Sequence, residues 1–251
     1  MLSARRIGRV TPLLLALLTG TAVARADRGE LPQVSQHYAL TATLDPQAKR
    51  ISGHVRITFT NTSARALDAL VLHLYLNAFR DERSVFMRES GGRLRGERAH
   101  GRGSLELASL TIGGRDVLAA SDRELVEGDR TQLRAPVDPP LRPGATLVVE
   151  STFDARLPPV FARSGYAGDF FAIAQWFPKL AKLEPDGHFA SFPYHALGEF
   201  YADFADYALT LRTPGDFAAV ASGVLVGERR EGDQIVREFA ALFASTPDPP
   251  P

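Results

Sequence analysis

The 251-residue chain has no cysteine, only two methionines and a single tryptophan. Without cysteine there is no disulfide framework, no thiol nucleophile and no thiolate-ligated zinc or iron–sulfur site. Its 29 basic and 29 acidic residues cancel. The basic excess of a general nucleic-acid binder is therefore missing, and no nucleic-acid partner is expected. Long apolar runs are also absent. The run centred on Leu13–Leu18 falls short of the roughly 20 residues that a bilayer span needs, so no membrane span is expected. What is present is a composition of 45% hydrophobic and 23% charged residues, which is that of a globular chain and not of a disordered or collagen-like one. The length suits one domain, or two small ones.

The N-terminus reads as an export signal. Arg5, Arg6 and Arg9 precede the apolar run, and Ala22-Val23-Ala24 and Ala24-Arg25-Ala26 are small-residue cleavage sites. Residues 1–26 are thus expected to be a signal peptide cut after Ala24 or Ala26, which places the chain in the periplasm or outside the cell. Four of the basic residues and none of the acids fall in that segment, so the remainder carries a net charge of −4.

Beyond it the dominant period is two, the signature of strands with one covered face. Tyr38, Leu40, Ala42 and Leu44 alternate with smaller or polar residues, as do Val55, Ile57 and Phe59. Leu70, Leu72, Leu74 and Leu76 follow the same rule, then Leu147, Val149, Ser151 and Phe153, then Tyr207, Leu209 and Leu211. Turn signals separate these runs at Asp45-Pro46, Asn61-Thr62-Ser63, Pro143-Gly144 and Glu231-Gly232-Asp233. Gly113-Gly114 predicts a two-residue hairpin, because paired glycines accept the positive φ of a type I′ turn. The expected fold is all-β, with no long amphipathic helix and no internal repeat.

Two stretches break the pattern. Arg80 to Gly103 carries seven arginines and five glycines and reads as a long, mobile, solvated surface loop. Leu157 to His195 is crowded with aromatics, among them Phe161, Tyr166, Phe170, Phe171, Trp176 and Phe177. These are expected mostly to fill the end of a core, with a lined cleft as the alternative.

Searches for catalytic motifs return little. No H-E-x-x-H, G-x-S-x-G, Walker loop or G-x-G-x-x-G occurs. His195 and Glu199 are four residues apart, but two ligands are too few for zinc. His195 is read as a locally bonded residue in a turn entering a strand. Carboxylates are plentiful, and without a fold no glycosidase pair among them is either claimed or excluded.

Several stretches in order resemble one family. They are Tyr38–Asp45, Ile51–Asn61, Leu72–Phe79, the segment Ala174-Gln175-Trp176-Phe177-Pro178-Lys179, and Gly198–Leu211 followed by Pro214 and Ala221-Ser222-Gly223. Together they resemble the N-terminal domain of the aminopeptidase N family of zinc metallopeptidases, which includes leukotriene hydrolase, and most closely its bacterial branch. The resemblance runs from about residue 35 to 240. It implies a saddle-shaped, mainly antiparallel, β-sandwich-like domain that walls one side of a peptide cleft. It also implies that the chemistry belongs to a second domain with an H-E-x-x-H helix, a G-x-M-E-N strand and a zinc ion. None of these motifs is present here, so no catalytic residue and no metal ligand is assigned, and zinc is expected only in the absent catalytic domain. Gln175 matches the family position that points into the cleft, where its amide would offer a donor and an acceptor to the amino end or backbone of a peptide. The alternative is a buried amide bridging loop backbone groups. Trp176, Phe177 and Pro178 are read as core and domain-interface packing.

The family pattern is expected to continue past Ala240, but residues 241–251 form a proline-rich tail, and proline supplies no ladder donor. The leading expectation is a signal peptide (1–26), a β domain (27–240) and a tail left by truncation. Such a chain would be inactive alone unless a catalytic domain joins it in trans, and it would expose an apolar docking face. The downstream DNA should then encode H-E-x-x-H. The alternative is a secreted, non-enzymatic β-sandwich that binds a peptide or another ligand. A glycosidase-like β protein is a third reading.

Overall fold

The computed structural model describes residues 34–242. The expected signal peptide and residues 243–251 of the tail lie outside the described residues. The first half of the chain contributes β1 (Gln36–Asp45), β2 (Arg50–Thr60), β3 (Leu67–His73), a 3-10 helix (Tyr75–Phe79), α1 (Val85–Ser90), β4 (Arg93–Leu94), β5 (Glu97–Arg98), β6 (Ser104–Ile112) and β7 (Arg115–Asp116). The second half adds β8 (Gln132–Leu141), β9 (Thr146–Arg156), β10 (Gly165–Ala167), β11 (Phe170–Ala172), β12 (Lys179–Leu180), β13 (Asp206–Pro214), β14 (Val224–Glu231) and β15 (Gln234–Ala241). The chain is all-β, as its alternation predicts.

Eight strands form one sheet in the order β14-β15-β13-β1-β2-β9-β6-β7. Its neighbours are antiparallel except β1 and β13, which run parallel with Tyr38 opposite Tyr207 and Leu40 opposite Leu209. A parallel pair needs a long crossover, and here almost the whole domain lies between the two strands. A second sheet, β12-β3-β8, and the two ribbons β4-β5 and β10-β11 complete the strands.

The predicted alternation is realised most cleanly in β1 and β2. Tyr38, Leu40, Ala42 and Leu44 are buried, and so are Ile51, Val55, Ile57 and Phe59. Gly53 allows β2 to pass close to its neighbour: a Cβ there would sit 2.3 Å from the Thr41 carbonyl oxygen. The turns form where the sequence places them. Asp45 Oδ1 accepts the backbone N–H groups of Gln47 and Ala48 at 3.0 and 2.8 Å. Gly113 and Gly114 take φ values of 58° and 81° between β6 and β7.

Two expectations are corrected. Leu70–Leu76 has no wet face: Val71, His73 and Tyr75 are as buried as the leucines, and the strand gives way to the 3-10 helix after Leu74. The side chain of Asn77 makes this possible. It donates to the carbonyls of Leu105 (3.0 Å) and Arg130 (2.9 Å) and accepts from Leu105 N–H (2.8 Å), replacing bonds that a ladder would have supplied. Arg80–Gly103, expected as a mobile loop, contains α1, whose Val85, Phe86 and Met87 are buried. Ser84 caps that helix through Met87 N–H, Gly91 closes it in the left-handed region, and Phe86 packs on Phe79, Phe161 and Tyr194. The arginines lie outside this wedge. Arg80 pairs with Glu106 at 2.6 Å, and Arg102 pairs with Glu82.

Of the aromatics between Leu157 and His195, Phe161 and Tyr194 are buried, while Tyr166, Phe171, Trp176, Phe177 and Phe189 lean on the core from its margin. Phe170 is exposed.

Candidate functional site

Gln175 lies in the short connection between β11 and β12, and both flanks of that connection are pinned. On one side Ser164 Oγ donates to the Ala174 carbonyl (2.7 Å) and accepts from Ala174 N–H (2.8 Å). On the other, Lys179 and Leu180 pair with His73 and Leu72 of β3, and Leu180 N–H donates to the Tyr38 hydroxyl at 3.1 Å. The chain crosses between these anchors with Gln175 at φ 55°, the left-handed region that residues other than glycine seldom adopt. Trp176 and Phe177 then turn inward, Trp176 onto Phe153 and Phe177 onto Tyr38 and Tyr207.

The half-buried Gln175 amide engages a side chain, with its Oε1 accepting from Lys179 Nζ at 3.1 Å. It lines a small cavity of about 10 Å³, shared with Tyr75, Phe79, Arg163, Tyr194 and Phe200. Tyr75, Tyr194 and Phe200 stand 4.8–5.5 Å apart, centroid to centroid, as a three-ring wall. Arg163 lies over Phe200 and forms a two-pronged pair with Glu199, both contacts at 2.7 Å. Those hydrogen bonds hold the Glu199 carboxyl below its ordinary range.

Two buried groups at this wall lack hydrogen-bond partners among the described residues: the Tyr75 hydroxyl, and both ring nitrogens of His73. The two rings stack at 4.4 Å. Burial pushes the His73 imidazole down to about 4, and the neighbouring Lys179 ammonium acts in the same direction. The Ala190 backbone opposes the shift without completing a regular hydrogen bond. Burial also pushes the Tyr75 hydroxyl up and the Lys179 ammonium down. The neutral imidazole therefore sits beside an ammonium whose hydrogen-bond partner among the described residues is Gln175. Sequence reasoning gave neither His73 nor Tyr75 a role. The one available signal was a histidine and a tyrosine interrupting a leucine run.

His195 lies elsewhere, in a wider groove of about 590 Å³ that Glu89, Arg93, Arg95 and Leu197 also line. The reading of a local bond is overturned, because His195 Nδ1 meets Glu89 Oε1 of α1 at 2.7 Å across 106 positions, and Glu89 Oε2 accepts Ala196 N–H at 3.0 Å. Burial raises the Glu89 carboxyl, but these hydrogen bonds outweigh it and hold the group below its ordinary range. The contact anchors the 195–200 segment to α1. Glu199 points to Arg163 instead, so the spacing of four does not bring the two side chains together.

Among the described residues, no three His, Asp or Glu side chains converge as metal ligands, so these residues do not fit a zinc site. No described helix is long and apolar enough to cross a membrane.

No family model matches the chain, and no curated protein matches it. Solved structures do. The chain is similar to M1 zinc metallopeptidases. One, from Deinococcus radiodurans, is 18% identical with a TM-score of 0.46, over 84% of this chain and 40% of that one. A glutamate-to-alanine variant from the same organism, bound to a Tyr-Ser-Ala substrate, gives 18% identity and a TM-score of 0.46 over 82% of this chain and 38% of that one. This chain thus spans about two-fifths of the length of those structures.

Proposed function

We propose that residues 27–240 form the substrate-cleft wall of an exported zinc aminopeptidase-type protein, binding peptide through Gln175. Hydrolysis is the work of a metal-binding domain that these residues do not contain, joined to them or supplied in trans. The observation that carries this reading is the Gln175 site itself. A non-glycine residue is held at positive φ between two pinned flanks, and it lines a cavity with Tyr75, whose buried hydroxyl has no hydrogen-bond partner among the described residues. Strain kept at such a position points to a role beyond packing. Further support comes from the ordered sequence stretches quoted above and from apolar side chains left in solvent, notably Leu197 at 91% and Val220 at 95% exposure, with Tyr201, Phe204, Val224 and Val226. The N-terminal basic and apolar segment supports export to the periplasm or beyond.

Isothermal titration of the full chain with tri-alanine tests the reading. Binding is expected, and Gln175→Ala should weaken it at least fivefold. Absence of binding would overturn the peptide role. Cleavage of the peptide by the purified chain, abolished by a chelator, would overturn the division of labour.

A further inference from the structure

The seven arginines of Arg80–Gly103 divide into two groups. Arg80 pairs with Glu106, Arg83 with Asp81 and Arg102 with Glu82, while Arg88 donates to the Glu127 carbonyl. Arg93, Arg95 and Arg98 have no carboxylate within ion-pair distance among the described residues. These three sit on the β4–β5 ribbon, at positions that local physics disfavours. Arg93 stands directly opposite Arg98 in the ribbon's register. Side chains so placed leave the ribbon on one face within a few ångströms of each other, and like charges there repel. Arg95 and Gly96 form the two-residue turn, at φ 51° and 87°. A turn with both central residues at positive φ favours Asn-Gly, so an arginine in first place is strained. Local rules broken together on one short ribbon point to a function rather than to folding.

The same ribbon borders the wide groove. Arg93 and Arg95 line its volume of about 590 Å³ together with Leu94, Ala196 and Leu197. Glu89 lines it too, but its two oxygens are engaged by His195 and by Ala196 N–H at 2.7 and 3.0 Å. The groove thus offers unpaired guanidinium groups beside Leu197, which is 91% exposed. We propose that this groove binds an acidic peptide, with its carboxylates on Arg93 and Arg95 and an apolar side chain against Leu94 and Leu197. The planar guanidinium fork matches a carboxylate bidentately. The leucines favour a peptide, because a small inorganic anion would leave them bare. The net charge of −4 beyond residue 26 and Glu97 on the ribbon itself repel a long polyanion such as nucleic acid. The groove is concave, which suits a chain segment better than a bilayer surface. The proposal is independent of the Gln175 reading, and tri-alanine, which tests that reading, has no acidic side chain.

The test is fluorescence anisotropy of a labelled Leu-Asp-Glu-Leu peptide, acetylated and amidated at its ends, titrated with the full chain. Binding is expected, and it should weaken at least fivefold between 50 and 500 mM salt. The uncharged Leu-Asn-Gln-Leu analogue should bind at least tenfold more weakly. Arg93→Glu places a carboxylate opposite Arg98, so its melting temperature should equal or exceed that of wild type while affinity falls at least tenfold. Arg95→Asn gives the turn the residue it favours, and should raise the melting temperature while weakening binding about fivefold. Leu197→Ser should weaken it about threefold. The proposal fails if the acidic peptide does not bind, if its neutral analogue binds equally well, or if Arg93→Glu and Arg95→Asn leave affinity intact. Unchanged affinity in Leu197→Ser would mean that charge alone is read and would remove the peptide as the ligand. Arginine-dependent sedimentation with phosphatidylglycerol vesicles, without peptide binding, would assign the patch to a membrane surface and overturn the proposal.

Discussion

The centre and one side of the large sheet share the same alternation and meet opposite fates. In its centre, β1, β2 and β9 carry alternating apolar residues that are almost completely enclosed: Val55, Ile57, Phe59 and Val149 have no exposed surface, and Phe153 has 1%. Next to β1, β13 alternates just as regularly through Tyr207, Leu209 and Leu211, yet none of the three is fully buried. In β14, Val224, Leu225 and Val226 lie in solvent, Val226 at 63% exposure. Alternation encodes which face of a strand is apolar. Whether that face is covered depends on a second layer, and the β12-β3-β8 sheet and the aromatic segment supply one for the centre.

The contrast is sharpest in the cost of truncation. Phe153→Ala removes a buried ring that also touches Trp176, and it should destabilise the domain by about 3–5 kcal/mol in chemical denaturation. A loss below about 1 kcal/mol would mean that the centre is not the organising core.

The next effect depends on pH. His73 is held near 4 when folded, against an ordinary 6.5. Above pH 6.5 both folded and unfolded states are neutral at this position and it contributes nothing. As pH falls, the unfolded chain takes up a proton that the folded one refuses, so stability drops between pH 6.5 and 4 by roughly 3 kcal/mol. Replacing His73 with Leu should flatten the stability–pH curve over that window. A curve parallel to wild type would contradict the enclosure of β3.

Asn77→Ala should cost about 2–3 kcal/mol, because it strands buried backbone groups at Leu105 and Arg130. If the loss is negligible, water reaches the 3-10 helix and the covered half of the domain is open to solvent. The smallest effect belongs to the uncovered end: Val226→Thr should change stability by no more than about 0.5 kcal/mol. A large loss there would show that the end of the sheet is covered in solution and would remove the contrast altogether.

Much of the fold was legible because it rests on short-range rules. The period of two located β1, β2 and β9, and paired glycines located the β6–β7 hairpin through a conformational demand of their own. The helix α1 was not legible, since six residues in an arginine- and glycine-rich stretch give no periodic signal, and its wedge of Val85, Phe86 and Met87 is recognisable only beside Phe161 and Tyr194. Gln175 was singled out by resemblance, but its bond to Lys179 and the nearby His73 of β3 and Tyr75 of the 3-10 helix emerged only from the fold.

The residues by themselves determined an all-β chain, the apolar side of most strands and the position of most turns, because each follows from steric and hydropathic preferences within a few neighbours. Only the tertiary structure decided that β1 meets β13 in parallel, that His195 answers to Glu89, that the buried His73 has no hydrogen-bond partner among the described residues, and that the apolar residues of edge strand β14 are left in solvent. These depend on contacts between segments distant along the chain, and local preference carries no information about which distant segment arrives.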